Sequence, residues 1–303
     1  AKATSKPVPV VVTSGSAVAN LMPAVAEAFQ SAVPIIVLSA DRPASARGKS
    51  APQTINQFGM FGTFVKSQID VPADLQDVSA VATVIESTVS GRPGPVQVNV
   101  QFELPLLPDV KDLEWKPKPS GLSSISKTEC EQKRIEVPAR GIFIVGDNAD
   151  AEAIEEINRV SQALGWPILW EPTANAHMLT NSISHGVVLL QADIAPKIEA
   201  VVTFGTVGLS RAILGLLKNA PIYFAIHSAT AGPDTPDPVS SANEILECVP
   251  KLETKIDPEW LQQWQTLDNK AAIAVETALA ANTLTGPSAA QVVWNQAGQD
   301  DQL

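Results

Sequence analysis

The residues best placed to do chemistry sit at the ends of two apolar runs. Val10-Val11-Val12 leads into Thr13-Ser14-Gly15-Ser16, and Ile35-Ile36-Val37-Leu38-Ser39-Ala40 leads into Asp41-Arg42-Pro43. A β-run that ends at Thr-Ser-Gly offers hydroxyls beside a glycine, which lets backbone approach a ligand with no Cβ in the way. A helix starting there under a Ser/Thr cap would aim free N–H groups and a dipole at that ligand. The second run delivers the Arg42 guanidinium onto the next loop, and strand ends are where an open α/β sheet collects its functional residues. Read alone, the same residues also describe a capped helix after a strand and an ordinary Arg-Pro turn.

Other candidates carry less. Arg47 and Lys49 lie on the Arg42 loop, either as positive potential for anions or as solvated charges, the commoner case. Gln53, Asn56 and Gln57 follow, and nothing separates the last two from ordinary polar loop residues. Gly146-Asp147-Asn148 after an apolar run invites a nucleotide reading, but the G-x-G-x-x-G fingerprint is absent. Gly205, Ser210 and Arg211 read as packing and domain contacts. Cys130 and Cys248 are far apart without metal-like spacing, and read as two reduced thiols. His177, His185 and His227 show no ligand spacing, which argues against a protein-built zinc site.

The elements that must position these residues are strands separated by helices, the pattern of parallel β-α units. PVPVVVT, VPIIVLSA and GPVQVNV read as strands, with helices over Ser16–Ser31 and ADLQDVSAVATVIESTVS, the latter with Asp74 or its acidic neighbours at the N-terminus. Prolines 105, 108, 117, 119 and 138 mark an extended linker. A second α/β unit follows: GIFIVG, AEAIEEINRVSQALG, PILWE, KIEAVVTFG, LSRAILGLLKN and APIYFAIH alternate between strand and helix. After Pro250 come two helical patterns on which Trp260, Trp264 and Trp294 read as core. The division is thus residues 1–107, a Pro-rich linker over 108–137, a central α/β domain over 138–252 and a further segment over 253–303. A length of 303 residues suits about two domains. The net charge of −11 argues against a nucleic-acid surface. No apolar run reaches the roughly 20 residues that span a bilayer, and no charged-then-apolar leader is visible, so the chain reads as cytoplasmic.

TSGSAVANL, LSADRP and QTINQFGMFG together resemble the pyrimidine-binding domain of thiamine-diphosphate enzymes. Within that superfamily they are most similar to the 2-succinyl-5-enolpyruvyl-6-hydroxy-3-cyclohexene-1-carboxylate (SEPHCHC) synthases of menaquinone biosynthesis. LGWPI and FGTVGLSRAILGLL extend the likeness into the central domain. The resemblance implies three-layer α/β domains with parallel sheets: a pyrimidine-binding domain lacking its N-terminal part, a central domain, and the start of a diphosphate-binding domain. It implies a carboligase that decarboxylates 2-oxoglutarate and adds the succinyl carbanion to isochorismate, with thiamine diphosphate and Mg2+, in a homo-oligomer. Arg42 and Gln53, separated by 11 residues, match substrate-contacting positions, while Thr13, Ser14, Gly15 and Ser16 match positions facing the aminopyrimidine. Pro52 stands where relatives commonly carry Asn.

The resemblance also sets an expectation about what lies elsewhere. The glutamate that protonates the cofactor ring precedes the position of Ala1, and the Gly-Asp-Gly segment that holds Mg2+ follows that of Leu303. Glu27, inside a helix, does not replace the former. The 303 residues would then hold no catalytic residue or metal ligand, would bind neither cofactor alone, and would be inactive by themselves. An acetolactate-synthase-like enzyme and a non-catalytic regulatory module are the competing readings. The DRP-to-Gln spacing and NQFGMFG favour the SEPHCHC synthases over the first.

Overall fold

A computed structural model of the chain describes residues 1–4, 6–74, 78–106, 131–147, 151–174, 176, 179–226, 235–281 and 284–297. Cys130, Asn148, His177, His227 and residues 108–130 of the predicted linker lie outside them. The chain divides into two compact units, with the boundary between Cys130 and Glu131.

In the first unit, strands β1 (Val8–Val12) and β2 (Ile35–Asp41) flank helices α1 (Ser16–Ala19) and α2 (Met22–Gln30). Strand β3 (Gln68–Val71), helix α3 (Ser79–Ser87) and strand β4 (Val96–Gln101) follow. The strands pair in the order β1-β2-β4-β3, every pair parallel. The helix expected over Ser16–Ser31 is broken at Asn20-Leu21, because Pro23 sits in the first turn of α2 and proline is tolerated there but not in a helix interior. Helix α3 begins at Ser79, five residues after Asp74, with no acidic residue in its first turn, and the acidic neighbour Asp77 lies outside the described residues.

Val18 and Val25 of α1 and α2 bury against Val37 and Phe61 on one face, while Val84 of α3 packs with Ile36, Val96 and Val98 on the other. Neighbouring residues Ile36 and Val37 of β2 thus point to opposite cores, as the pleat requires. At the sheet edge, Val11 of β1 is 74% exposed.

The second unit starts earlier than the linker reading allows. Strand β5 (Arg134–Glu136) lies inside the stretch expected to be linker and pairs in parallel with β11 (Lys251–Glu253). Between them run β6 (Gly141–Val145), α4 (Ala151–Leu164), β7 (Ile168–Trp170), α5 (Gly186–Gln191), β8 (Ala200–Phe204), α6 (Arg211–Asn219), β9 (Tyr223–Ile226) and β10 (Glu244–Leu246). The order β10-β9-β8-β6-β7 is again wholly parallel. Strands β6, β8 and β9 are buried along their full length, as a sheet covered on both faces demands.

Helix α7 (Trp260–Leu279) packs on this core through Trp260, Trp264 and Ala271. The Trp260 indole N–H donates to the Gly141 carbonyl at 2.8 Å. This part of segment 253–303 therefore shares the core of the central unit. Helix α8 (Gly286–Gln296) buries no residue, and Trp294 is 71% exposed, so it is not the core residue its spacing suggests. Cys248 is disulfide-bonded, which corrects the reading of a reduced thiol.

Candidate functional site

The parallel sheet of the first unit brings the ends of β1, β2 and β4 to one edge. Register sets Ser39 beside Asn99 and Asp41 beside Gln101, with Asp70 of β3 on the other side of Asn99. Alternation puts Gln97, Asn99 and Gln101 on the same face of β4, where all three are buried. Amides buried at such positions must find partners, and they do so in one network, except that Gln97 Oε1 has no partner among the described residues.

Asn99 Nδ2 donates to Asp41 Oδ2 at 2.9 Å and to Asp70 Oδ1 at 2.8 Å. Its Oδ1 accepts from Ser39 Oγ at 2.9 Å and from Gln57 Nε2 at 2.8 Å. Gln101 Nε2 donates to Asp70 Oδ2 at 3.1 Å, and its Oε1 accepts the Ala44 N–H at 2.8 Å. Gln97 Nε2 reaches Ser39 Oγ and the Gln57 carbonyl, at 3.2 and 3.1 Å.

Arg47 closes the network from the loop. Nη1 and Nη2 hold Asp70 at 2.6 and 2.9 Å, and Nη2 also donates to Asp41 at 2.7 Å. The hydrogen bonds to Asp70, together with the nearby charge of Asp41, raise Arg47 above the usual guanidinium value against the opposing effect of burial. The same bonds, helped by Asn99, hold the Asp70 carboxyl below the usual carboxylate range. Arg47 is therefore neither a solvated charge nor free for an anion: it is bound to two carboxylates. Lys49, two residues on, is exposed.

Arg42 differs. Its backbone N–H donates to Asp41 Oδ1 at 2.8 Å, which fixes the start of the loop. Its half-buried guanidinium makes no ion pair among the described residues, so Arg47 rather than Arg42 neutralises Asp41. At this sheet edge Arg42 is the guanidinium left available for an anion.

The turn after β1 departs from the sequence reading. Gly15 is the N-terminal boundary residue of α1, with no side-chain cap, so the expected Ser/Thr cap is not made. Helix α1 spans four residues, too short to aim a substantial dipole. Instead the Gly15 N–H donates to Gln57 Oε1 at 3.0 Å. Gly15 adopts φ 90°, ψ −142°, a conformation nearly restricted to glycine. Ser14 is buried with it, while Thr13 and Ser16 are exposed on either side.

Gln53 joins this turn. It is exposed, with a left-handed φ of 55°, and its carbonyl oxygen lies 3.5 Å from where a Gly15 Cβ would be. The structure thus unites Thr13–Ser16 with Gln53, and links them to the Arg42 strand end through Gln57. Sequence reasoning set Gln57 aside, although it is 1% exposed and contributes most to that link. Polar residues on both faces of a sheet-end loop give no local sign of which one turns inward.

The exposed hydroxyls of Thr13 and Ser16, the Gln53 amide and the Arg42 guanidinium form a donor set suited to a heteroaromatic ring and carboxylates. Among the described residues, no three His, Cys, Asp or Glu side chains gather into one cluster.

In the second unit a cleft of about 550 Å3 lies between the Ile194–Pro196 stretch and α7. Its lining includes one carboxylate, Glu259, and no cation, which suits anionic substrates poorly. Packing accounts for Gly146 without a nucleotide: a Cβ there would lie 2.1 Å from the Thr206 carbonyl oxygen. Nor is the N-terminus of α6 open to a phosphate. The fully buried Glu171 carboxylate already accepts the N–H groups of Gly208, Leu209 and Ser210, at 3.1, 2.8 and 3.1 Å.

Residues 1–60 match the family described as thiamine pyrophosphate enzyme, N-terminal TPP binding domain. Along nearly its whole length the chain is similar to proteins named 2-succinyl-5-enolpyruvyl-6-hydroxy-3-cyclohexene-1-carboxylate synthase. That of Paenarthrobacter aurescens is 34% identical over 97% of this chain and 54% of the relative. That of Thermobifida fusca is 34% identical over 82% of this chain and 47% of the relative. That of Staphylococcus epidermidis is 32% identical over 90% of this chain and 52% of the relative. The chain spans about half the length of the curated relatives it matches.

Proposed function

We propose, with this kinship to the thiamine-diphosphate enzymes as premise, that the chain carries one wall of the active site of a SEPHCHC synthase. The reaction is decarboxylation of 2-oxoglutarate followed by addition of the resulting succinyl unit to isochorismate. Thiamine diphosphate supplies, when bound, the electron sink that both steps need. Mg2+, required for the diphosphate in such enzymes, is assigned to residues other than those described above.

The chain's own residues bind and orient. Arg42 clamps a substrate carboxylate through two N–H groups, a geometry that suits guanidinium and not ammonium. Gln53 orients a polar group of the substrate by its exposed amide. Thr13, Ser14, Gly15 and Ser16 form the surface against which the aminopyrimidine rests, with the hydroxyls of Thr13 and Ser16 available to it. The observation that carries this reading is the uncommitted Arg42 guanidinium beside an Arg47 that is wholly committed. Asp41 and Asp70 would otherwise draw Arg42 away from an incoming anion.

The test is turnover by the full-length natural protein given thiamine diphosphate, Mg2+, 2-oxoglutarate and isochorismate. The reading predicts formation of the adduct with release of one CO2. Turnover of pyruvate to acetolactate, or no turnover, would overturn it.

A further inference from the structure

We propose that Gln57 is a positioning residue that ties the Thr13–Ser16 turn and the Arg42 strand end into one rigid unit. The inference rests on the reading of those two segments as cofactor and substrate contacts. Its geometry stands independently. Gln57 Oε1 accepts the Gly15 N–H at 3.0 Å, and Nε2 donates to the Ala40 carbonyl at 2.7 Å and to Asn99 Oδ1 at 2.8 Å. Both amide hydrogens are used, and the backbone carbonyl of Gln57 accepts from Gln97 at 3.1 Å.

The amide cannot turn over. Rotated by half a turn, its NH2 would face the Gly15 N–H and its oxygen would face two acceptors. The bonds then continue without a gap. Asn99, fixed by Gln57, donates to Asp41 Oδ2, and Asp41 Oδ1 accepts the Arg42 N–H. A relay of Gly15, Gln57, Asn99, Asp41 and Arg42 thus spans from the end of β1 to the loop after β2. Each link is buried except Arg42, so water offers little replacement for a lost bond.

Among the described residues no other acceptor meets the Gly15 N–H, while its carbonyl accepts the Val18 N–H at 3.1 Å. Glycine reaches this conformation without strain and leaves it as easily, so the turn depends on a bond from outside to hold it. Losing the Gln57 acceptor leaves a buried N–H unpaired and removes what fixes the turn. The same loss frees Asn99 to reorient, and with it the carboxylate that anchors Arg42. Both halves of the site would loosen together, which is what distinguishes a coupling residue from a local support.

Hydrogen exchange of the full-length natural protein tests this, with peptides covering 13–18 and 40–47 compared with one covering 223–226 in the second unit. Gln57→Met keeps the side-chain volume and removes the amide. It should speed exchange in both 13–18 and 40–47 by about 10- to 100-fold and leave 223–226 unchanged. Gln57→Glu keeps the acceptor for Gly15 but not the donor, so 13–18 should stay protected while 40–47 is released. Release of only one segment in Gln57→Met, or equal acceleration in all three, overturns the proposal. Steady-state kinetics well below the melting temperature should show kcat for Gln57→Met falling by at least about 10-fold, more than any rise in KM. Unchanged kcat beside the predicted exchange pattern also overturns it. If the unsubstituted protein has no carboligase activity, the functional reading fails, while exchange still decides whether Gln57 couples the segments.

Discussion

Replacing Arg47 with methionine removes the charge that two carboxylates share and keeps most of the side-chain volume. Hydrogen bonds to a charged group contribute about 1.5–3 kcal/mol each to stability, and breaking a buried pair from one side costs about 3–5 kcal/mol. The side chains of Arg47 and Asp70 are 27% and 22% exposed, so solvent recovers part of that loss. Asp41 recovers little: its side chain is 1% exposed and keeps only the Asn99 amide and the Arg42 N–H. A net cost of about 2–3 kcal/mol follows, or roughly 10–20 °C in the melting temperature of a unit of this size. Calorimetry of the 303-residue chain reads the shift. Fluorescence of Trp166, Trp260 and Trp264, which lie in the second unit, identifies the transition that should not move. The dependence on pH gives an independent check. Arg47 holds the Asp70 carboxyl low, so that contribution is present above the ordinary carboxylate value of about 3.9 and is lost as pH falls towards the lowered one. Arg47, raised, stays charged throughout. The unsubstituted first unit should therefore lose stability steeply below about pH 4, and Arg47→Met should respond less. A shift under about 3 °C, or parallel acid profiles, would refute the reasoning.

Three further outcomes follow from the same structure. Arg42→Ala in the full-length natural protein should cost about 30- to 1,000-fold in kcat/KM and leave the melting temperature nearly unchanged, with Arg42→Lys recovering only part. An unaltered kcat/KM for both substrates would remove Arg42 from the site. Glu171→Gln, which replaces a carboxylate that accepts from three backbone N–H groups, should lower the stability of the second unit by about 2–3 kcal/mol in urea unfolding followed by tryptophan fluorescence. No change in the midpoint would refute its capping role. Burial pushes Tyr223, the sole tyrosine, up to about 12. Absorbance at the phenolate band should thus stay flat through the ordinary range near 10, and the tyrosine's stabilising effect should be lost as pH rises from there towards 12. A native midpoint near 10 would contradict that burial.

Much of the scaffold is legible because the parallel strands carry their own signal. GIFIV, AVVTF and YFAI are apolar runs, broken only by Thr203, and emerge as buried strands of one sheet. Short polar elements are not: β3 reads Gln-Ile-Asp-Val, and β5 sits among prolines and charges. The site is half legible for a related reason. Arg42 and the Thr13–Ser16 turn are marked by their place after apolar runs. Gln57 and Arg47 matter only through Gln97, Asn99, Gln101 and Asp70, which arrive from strands 13 to 54 residues later. One sign was present. The alternation Val-Gln-Val-Asn-Val-Gln in β4 looks like a strand with a solvated face, but a strand between two others in a parallel sheet has no such face. Uncharged amides at those positions mark an internal network.

Glu171 gives the central unit a ligand it can never lose. The backbone cradle at the start of α6 is the arrangement with which many α/β proteins grip a phosphate, and here a covalently attached acid fills it. Tethering gives that acid an effective concentration well above the millimolar range of flexible linkers, since strand β7 delivers it already aligned. A free anion in solution competes on unequal terms, and the cradle stays closed to it at any concentration a cell maintains. The fold has kept the shape of a receptor and turned it inward as a fastener.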